Sequence, residues 1–334
     1  MVVFVTGATG YIAQHVVKEL LKEGYEVVGS VRSKEKGEYL SNLIKSDKFT
    51  YAVVPDIVKK GGFDEVLQEN DSIDSFIHTA SPVDFEVDDI QTGLLDPAIE
   101  GTKNVLLAVE KYGKNVKNVV VTSSVAAVRD LSGNKPSNSL IDESSWNDIS
   151  LEQGLKNTKL GYAAAKTFAE KEVWKFADAH KGTWNVTTVN PTFVFGPQAY
   201  NVQNKAHLNH SAEFVNEILK LGPDDSIGSF AGLFIDVRDI AKAHVAAIKR
   251  PAGFNGQRLL LIDSPWTKQL LAVIINKHFP KLNIPRGSPD KSDLELKEAD
   301  LKWDNTKTKK LLNFDFIPLE KSVVDAAQQI LDAK

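Results

Sequence analysis

TGATGYIA, residues 6–13, sets two glycines three apart between the β-branched run VVFVT (2–6) and a helix-like stretch that starts at Tyr11. Glycine at such a junction allows a sharp turn and leaves no Cβ to hold a ligand away from the backbone. The helix that follows offers unpaired N–H groups and the positive end of its dipole, which together suit a phosphate. Ala13, three past Gly10, is small enough for the helix to pack closely on the strand. The spacing is Gly-x-x-Gly-x-x-Ala, not the commoner Gly-x-Gly-x-x-Gly. An ordinary strand-to-helix turn would use glycines too. Its place at the first such junction favours a dinucleotide pyrophosphate.

The rest of the chain repeats that alternation. Short apolar runs at 2–7, 25–31, 50–56, 74–81, 116–124, 184–191 and 256–263 read as strands. They show little strict alternation, as strands covered on both faces do. Tyr11–Lys22, Lys34–Lys45, Phe63–Asn70, Thr92–Tyr112 and Lys159–His180 read as helices. The expected fold is therefore α/β, a doubly wound parallel sheet. After Pro191 prolines and glycines become frequent, and helical pieces at 212–221, 237–249 and 270–278 are less regularly separated by strands. The expected division is a dinucleotide-binding domain over 1–190, with 256–263 a candidate to return to its sheet, and a smaller, mainly substrate-binding region over 191–334.

Composition narrows the function. The 334 residues carry 40 Lys and Arg against 44 Asp and Glu, a net charge of −4, which gives no broad attraction to nucleic acid or anionic lipid. The run Lys307-Thr308-Lys309-Lys310 reads as a solvated helix face. There is no cysteine, so disulfides, thiolate metal sites and cysteine nucleophiles are excluded together. No signal-peptide pattern and no bilayer-length apolar run is visible, and a cytoplasmic monomer or homodimer is expected. Asn70, Asn185 and Asn209 match the glycosylation pattern, which has no meaning without secretion.

Enzymes that use NAD often end the second strand with an acid that accepts the ribose hydroxyls. Here that strand runs into SVRSKEK, with Arg32 at the acid's place and Lys36 one turn on. Cations there suit the 2′-phosphate of NADPH/NADP+. They also fit two exposed cations at a helix start. Asp56, just after the third strand, is placed for the adenine edge.

LGYAAAKTFAEKE puts Tyr162 and Lys166 on one helix face, one turn apart. A neighbouring ammonium favours the phenolate, and such a tyrosine is expected to exchange protons nearer neutrality. The pair gains weight from VVVTSS, which ends the fifth strand at Ser123-Ser124, where a hydroxyl can hold a carbonyl oxygen.

With these three motifs the chain resembles the extended short-chain dehydrogenase/reductases, over nearly its whole length. TGATGYIAQHVV, VVPDI, HTASP, VTSSVAAV, YAAAK and VNPTFVFGPQ look like the yeast NADPH-dependent methylglyoxal and ketone reductases, with plant dihydroflavonol 4-reductases as more distant relatives. The resemblance implies a Rossmann domain and a catalytic set of Ser124, Tyr162 and Lys166. Ser124 would orient the carbonyl, Tyr162 would give it a proton, and Lys166 would tune Tyr162 and bond the nicotinamide ribose. It further implies cofactor contacts from Thr6, Gly7, Thr9, Gly10, Tyr11, Ile12, Arg32, Lys36, Asp56 and Ile57. Thr79, Ala80, Ser81, Pro191, Phe193, Val194 and Ser211 would complete them. Two departures stand out. Val125 follows the serine pair where those reductases often carry an aromatic residue, which would open the substrate pocket. A fourth catalytic Asn has no clear match, and Asn104 is left outside the set.

Val83, Phe85, Val125 and Tyr200 are the expected substrate contacts, though each also fits plain core packing; Phe195 belongs to the same loops. An apolar pocket suits hydrophobic ketones or small dicarbonyls. His207 and His210 lack a carboxylate motif, so no metal is expected. His78 reads as packed and hydrogen-bonded, and Asp236, Arg238 and Asp239 as a helix start with an ion pair. The expected function is NADPH-dependent reduction of aldehydes or ketones to alcohols. A nucleotide-sugar epimerase or dehydratase would need an arginine cluster after Pro191, and Arg238, Arg250, Arg258 and Arg286 look scattered. A non-catalytic dinucleotide sensor typically breaks the Tyr-x-x-x-Lys pair, which is intact here.

Overall fold

The computed structural model describes residues 1–81, 85–136, 138–200 and 210–333, except for the side chains of 210–212. β1 (Val2–Thr6) turns at the glycines into α1 (Tyr11–Lys22). β2 (Glu26–Val31), α2 (Lys34–Ile44), β3 (Phe49–Val53), α3 (Asp64–Glu69) and β4 (Ile73–His78) follow. A π-helical turn (Gln91–Leu95) then runs into α4 (Asp96–Tyr112). β5 (Asn118–Thr122) precedes a short 3-10 helix (Val125–Ala127), α5 (Leu151–Gly154) and α6 (Thr158–Ala179). Next come β6 (Asn185–Pro191), β7 (Phe193–Phe195), α7 (His210–Lys220), β8 (Ala231–Asp236), α8 (Val237–Lys249) and α9 (Pro251–Phe254). β9 (Gln257–Leu261), β10 (Ser264–Thr267), α10 (Lys268–His278), α11 (Pro289–Ala299), α12 (Thr306–Leu312) and α13 (Leu319–Asp332) end the described chain.

The main sheet has the order β3-β2-β1-β4-β5-β6-β9, with every pairing parallel. The expected doubly wound sheet is present, and 257–261 forms its last strand. Both faces are covered, so successive residues of β1 enter different cores. Val3 and Val5 pack with Val16, Val17 and Leu20 of α1 and Ile240 of α8. Phe4 points the other way, to Phe63, Phe76 and Val105. Burial of this kind is worth about 1.5–3 kcal/mol for each large apolar side chain. Strand order reverses between β1 and β4, the place where open α/β sheets bind ligands.

The smaller sheet, β10-β8-β7, has no clear signal in the sequence. Its strands are three to six residues long, and only Thr192 separates β7 from β6. Aromatic packing holds it. The ring of Phe193 meets those of Phe214, Phe230 and Trp266 at 5.8, 5.3 and 5.5 Å. The lysine run of α12 is a solvated face, as expected: Lys307, Lys309 and Lys310 are exposed and Thr308 is buried.

Candidate functional site

The two loops at the switch point touch. Gly7 has φ +63°, and a Cβ there would meet Ala80 at 3.1 Å. Its N–H donates to Ser30 Oγ at 2.9 Å, and the N–H of Gly10 donates to the Gly7 carbonyl at 2.8 Å. Both glycine N–H groups are thus spent on shaping the turn. Tyr11 and Ile12, in the first turn of α1, keep N–H groups free of intrahelical bonds. Their N-cap, Gly10, is exposed and supplies no capping side chain, whereas Ser33, Asn157 and Asp236 cap α2, α6 and α8. This open helix start and the Cβ-free turn fit a pyrophosphate.

Thr6 turns inward, and its side chain faces β4. Its hydroxyl oxygen accepts the N–H groups of Thr79 and Ala80, each at 3.0 Å, and lies 2.9 Å from His78 Nδ1. With both lone pairs used, the hydroxyl donates to Nδ1. His78 is therefore neutral, with its pKa pushed down to about 3 by burial and further by Lys166. It is packed and bonded, as expected. Thr79 returns its own hydroxyl to the Thr6 carbonyl. Thr79, Ala80 and Ser81 remain half-buried, as do Thr9, Tyr11 and Ile12.

Arg32 and Lys36 are exposed at the start of α2 and have no ion pair among the described residues, while neighbouring Lys34 pairs with Glu38 at 3.7 Å. Asp56 is exposed, and its Oδ1 accepts the Val58 N–H at 2.8 Å. Asn104 fixes this loop from α4, donating to the carbonyls of Ile57 and Val58 at 3.1 and 2.6 Å. It clips the loop after β3 to α4, a structural use of its amide.

α6 begins with Asn157 as its cap and carries Tyr162 and Lys166 inward. Tyr162 Oη donates to Ser124 Oγ at 3.4 Å. Ser124 also accepts the Ala126 N–H at 3.1 Å, which fixes it as the cap of the 3-10 helix. Lys166 Nζ lies 5.9 Å from the centre of the Tyr162 ring. Burial lowers the Lys166 pKa to about 8, and the charge of Glu170 pulls it upward. The expected depression of the Tyr162 pKa is not found. Burial raises it, and the Ser124 hydroxyl offsets only part of that. Desolvation disfavours the charged phenolate, and it is the largest influence on this hydroxyl.

The Phe85 ring lies 5.5 Å from that of Tyr162, and half-buried Val125 opens the 3-10 helix beside Ser124. Val83 lies outside the described residues, as does His207; the side chains of Ser211 and His210 are likewise not described. Pro191 and Val194 are buried at the ends of β6 and β7. Phe193 is half-buried in the aromatic cluster of the small sheet.

The Tyr200 ring sits 5.6 Å from Lys18 Nζ, about 12 Å along α1 from Gly10 by helical rise. A row of α1 side chains holds that segment. Tyr11 Oη donates to the Gly196 carbonyl at 2.6 Å, His15 Nε2 lies 2.9 Å from that of Pro197, and Lys18 Nζ donates to that of Ala199 at 2.9 Å. The expected ion pair at α8 is present, with Arg238 held by Asp236 and Asp325 at 2.7 and 2.6 Å. Sequence reasoning missed the buried network in which Glu170, Asn190 and Arg258 hold Ser123 of the serine pair from below. The only trace of it is Glu170, which continues the Tyr162–Lys166 stripe by one turn.

Several known proteins are similar to this chain over its whole length. A Saccharomyces cerevisiae NADPH-dependent methylglyoxal reductase is 42% identical over 99% of this chain and 98% of its own. An Aspergillus niger ketoreductase, azaE, is 35% identical over 99% of this chain and 97% of its own. The crystal structure of Gre2 from Candida albicans in complex with NADPH superposes with a TM-score of 0.94 at 43% identity, covering 100% of this chain and 99% of that one. The model of the NAD dependent epimerase/dehydratase family matches residues 3–261, and the chain belongs to that family.

Proposed function

We propose that this protein is an NADPH-dependent carbonyl reductase that converts aldehydes and ketones, small dicarbonyls or hydrophobic prochiral ketones, to alcohols. The observation that carries the reading is the Tyr162 hydroxyl set 3.4 Å from Ser124 Oγ, with the Phe85 ring against it and Lys166 one turn on. The relatives named above are a methylglyoxal reductase and a ketoreductase, and support the same chemistry in this chain.

The N–H groups of Tyr11 and Ile12 hold the pyrophosphate, with Gly7, Thr9 and Gly10 shaping its bed. Arg32 and Lys36 take the 2′-phosphate, Asp56 and Ile57 border the adenine, and Lys166 bonds the nicotinamide ribose. When bound, NADPH supplies the hydride that reaches the carbonyl carbon. Ser124 orients the carbonyl oxygen by a hydrogen bond. Tyr162 gives its proton to that oxygen. Its raised pKa keeps the proton in place until the oxygen becomes basic. Phe85 and Val125 shape an apolar wall that admits substrate and limits water.

An epimerase would need arginines free for a nucleotide diphosphate. Arg238 is paired with Asp236 and Asp325, Arg258 with Glu170, and Arg250 donates to the Leu311 carbonyl. That favours the reductase. The test is loss of reduced-cofactor absorbance with methylglyoxal, a diketone and an aryl ketone, run with NADPH and NADH in parallel, with the alcohol identified as product. Turnover with NADPH supports the reading, and cofactor binding without turnover of any carbonyl overturns it.

A further inference from the structure

The carboxylate-bearing Glu170 is 1% exposed, yet four hydrogen-bond donors reach it. Oε1 accepts from Arg258 Nε at 2.6 Å and Trp174 Nε1 at 3.1 Å. Oε2 accepts from Ser123 Oγ at 2.5 Å and Asn190 Nδ2 at 2.6 Å. The Thr188 hydroxyl, 3.2 Å from Oε1 and 3.0 Å from Asn190 Oδ1, serves one of the two. The second amide proton of Asn190 reaches the Ser124 carbonyl at 3.3 Å. One side chain of α6 thus ties the end of β5 to β6 and β9.

Stability alone is a weak reason for such a site. Desolvating a buried ion pair costs several kcal/mol, and packed apolar side chains often serve as well. This one is not even fully satisfied, because Arg258 Nη2 is buried without a hydrogen-bond partner. Its position supplies a better reason. Glu170 lies one turn beyond Lys166 and two beyond Tyr162, on the same helix stripe.

We propose that Glu170 is a positioning residue for carbonyl reduction, its one buried carboxylate fixing the Ser123–Ser124 pair and facing the ammonium of Lys166. This rests on the reductase reading above. Ser123 is held directly, and Ser124 through Asn190. Lys166 is faced by Tyr162 and Glu170 from its own helix and by neutral His78 from β4. Glu170 in turn faces Arg258 from β9. On α4, which packs along α6, Lys103 and Glu100 pair with each other. Among these groups Glu170 is the one whose charge keeps the proton on Lys166 against burial.

The test uses Glu170→Gln and the double variant Glu170→Gln with Arg258→Met, which removes the buried pair together and keeps the question answerable if the single variant misfolds. Lysine 13Cε NMR on the protein without cofactor, with Lys166→Met to assign the signal, follows the Lys166 titration. The expected result is a midpoint about one pH unit lower in either variant. The alkaline fall of kcat should move by the same interval, and kcat at neutral pH should drop roughly tenfold or more. An unmoved Lys166 midpoint, with kcat lowered by one factor at every pH, overturns the proposal and leaves Glu170 a structural residue. Tyr162→Phe serves as control. If it stays active the reductase reading fails, whereas if it is dead and Lys166 titrates unchanged, only the role of Glu170 fails.

Discussion

Tyr162 Oη and Ser124 Oγ lie 3.4 Å apart although the residues are 38 positions apart in sequence and sit on different elements. Each is fixed independently of the other: Ser124 by capping the 3-10 helix, Tyr162 by the register of α6. A carbonyl oxygen placed between them meets two hydroxyls whose positions it need not induce. Such preorganisation lowers the barrier to proton transfer.

Lys166 sets an alkaline limit. Its pKa is drawn down to about 8 by burial. The ammonium form exists below that value and is lost above it. With the ammonium as the working form, kcat should be flat below about pH 7 and fall as pH rises through about 8. A kcat–pH profile at saturating NADPH checks this. A profile that stays flat to about pH 10 would exclude a working role for the Lys166 charge.

Arg32 should decide between the two nicotinamide cofactors. Charge-assisted hydrogen bonds to phosphate are worth about 1.5–3 kcal/mol. Arg32→Ala is expected to raise the KM for NADPH by roughly tenfold to a hundredfold and to leave that for NADH nearly unchanged. Equal weakening of both would show that Arg32 does not read the 2′-phosphate.

Much of the fold and site is legible in the sequence because local chemistry dictates it. The seven strands of the main sheet announce themselves by short apolar runs, and α1 and α8 begin and end where their spacing predicts. Tyr162, Lys166 and Ser124 are found by motif. Long-range packing is what the sequence hides. Nothing in the sequence announces that the Tyr200 ring meets Lys18, 182 residues away. Arg258 looks like one of several scattered arginines, but Glu170, 88 residues away, takes its Nε–H at 2.6 Å. The Tyr162 pKa runs against expectation for the same reason. The neighbouring lysine is visible in sequence, and the burial that raises the phenol's pKa is not.

Three buried histidines make the fold acid-sensitive. His15, His78 and His244 have pKa values pushed down to about 4, 3 and 4, with burial the largest cause in each. Their folded pKa values lie below the unfolded value, so the unfolded chain binds more protons once pH drops below about 6.5. Stability is full above that point and is lost progressively as pH falls toward 4 to 3. Between about pH 7 and about pH 5 the loss should be about 2 kcal/mol per histidine. Urea denaturation at the two values measures it. Equal stability at both would mean these rings are protonated in the folded protein.

The most direct measurement is kcat of Tyr162→Phe with methylglyoxal, alongside NADPH affinity by fluorescence. Removing one hydroxyl leaves the ring, its contact with Phe85 and the cofactor bed in place. With Tyr162 as the proton donor, kcat should fall by about 10²–10⁴-fold while NADPH binding is retained. Turnover within a few-fold of the unaltered protein would show that the proton comes from another group and that the Ser124–Tyr162 pair is not the catalytic centre.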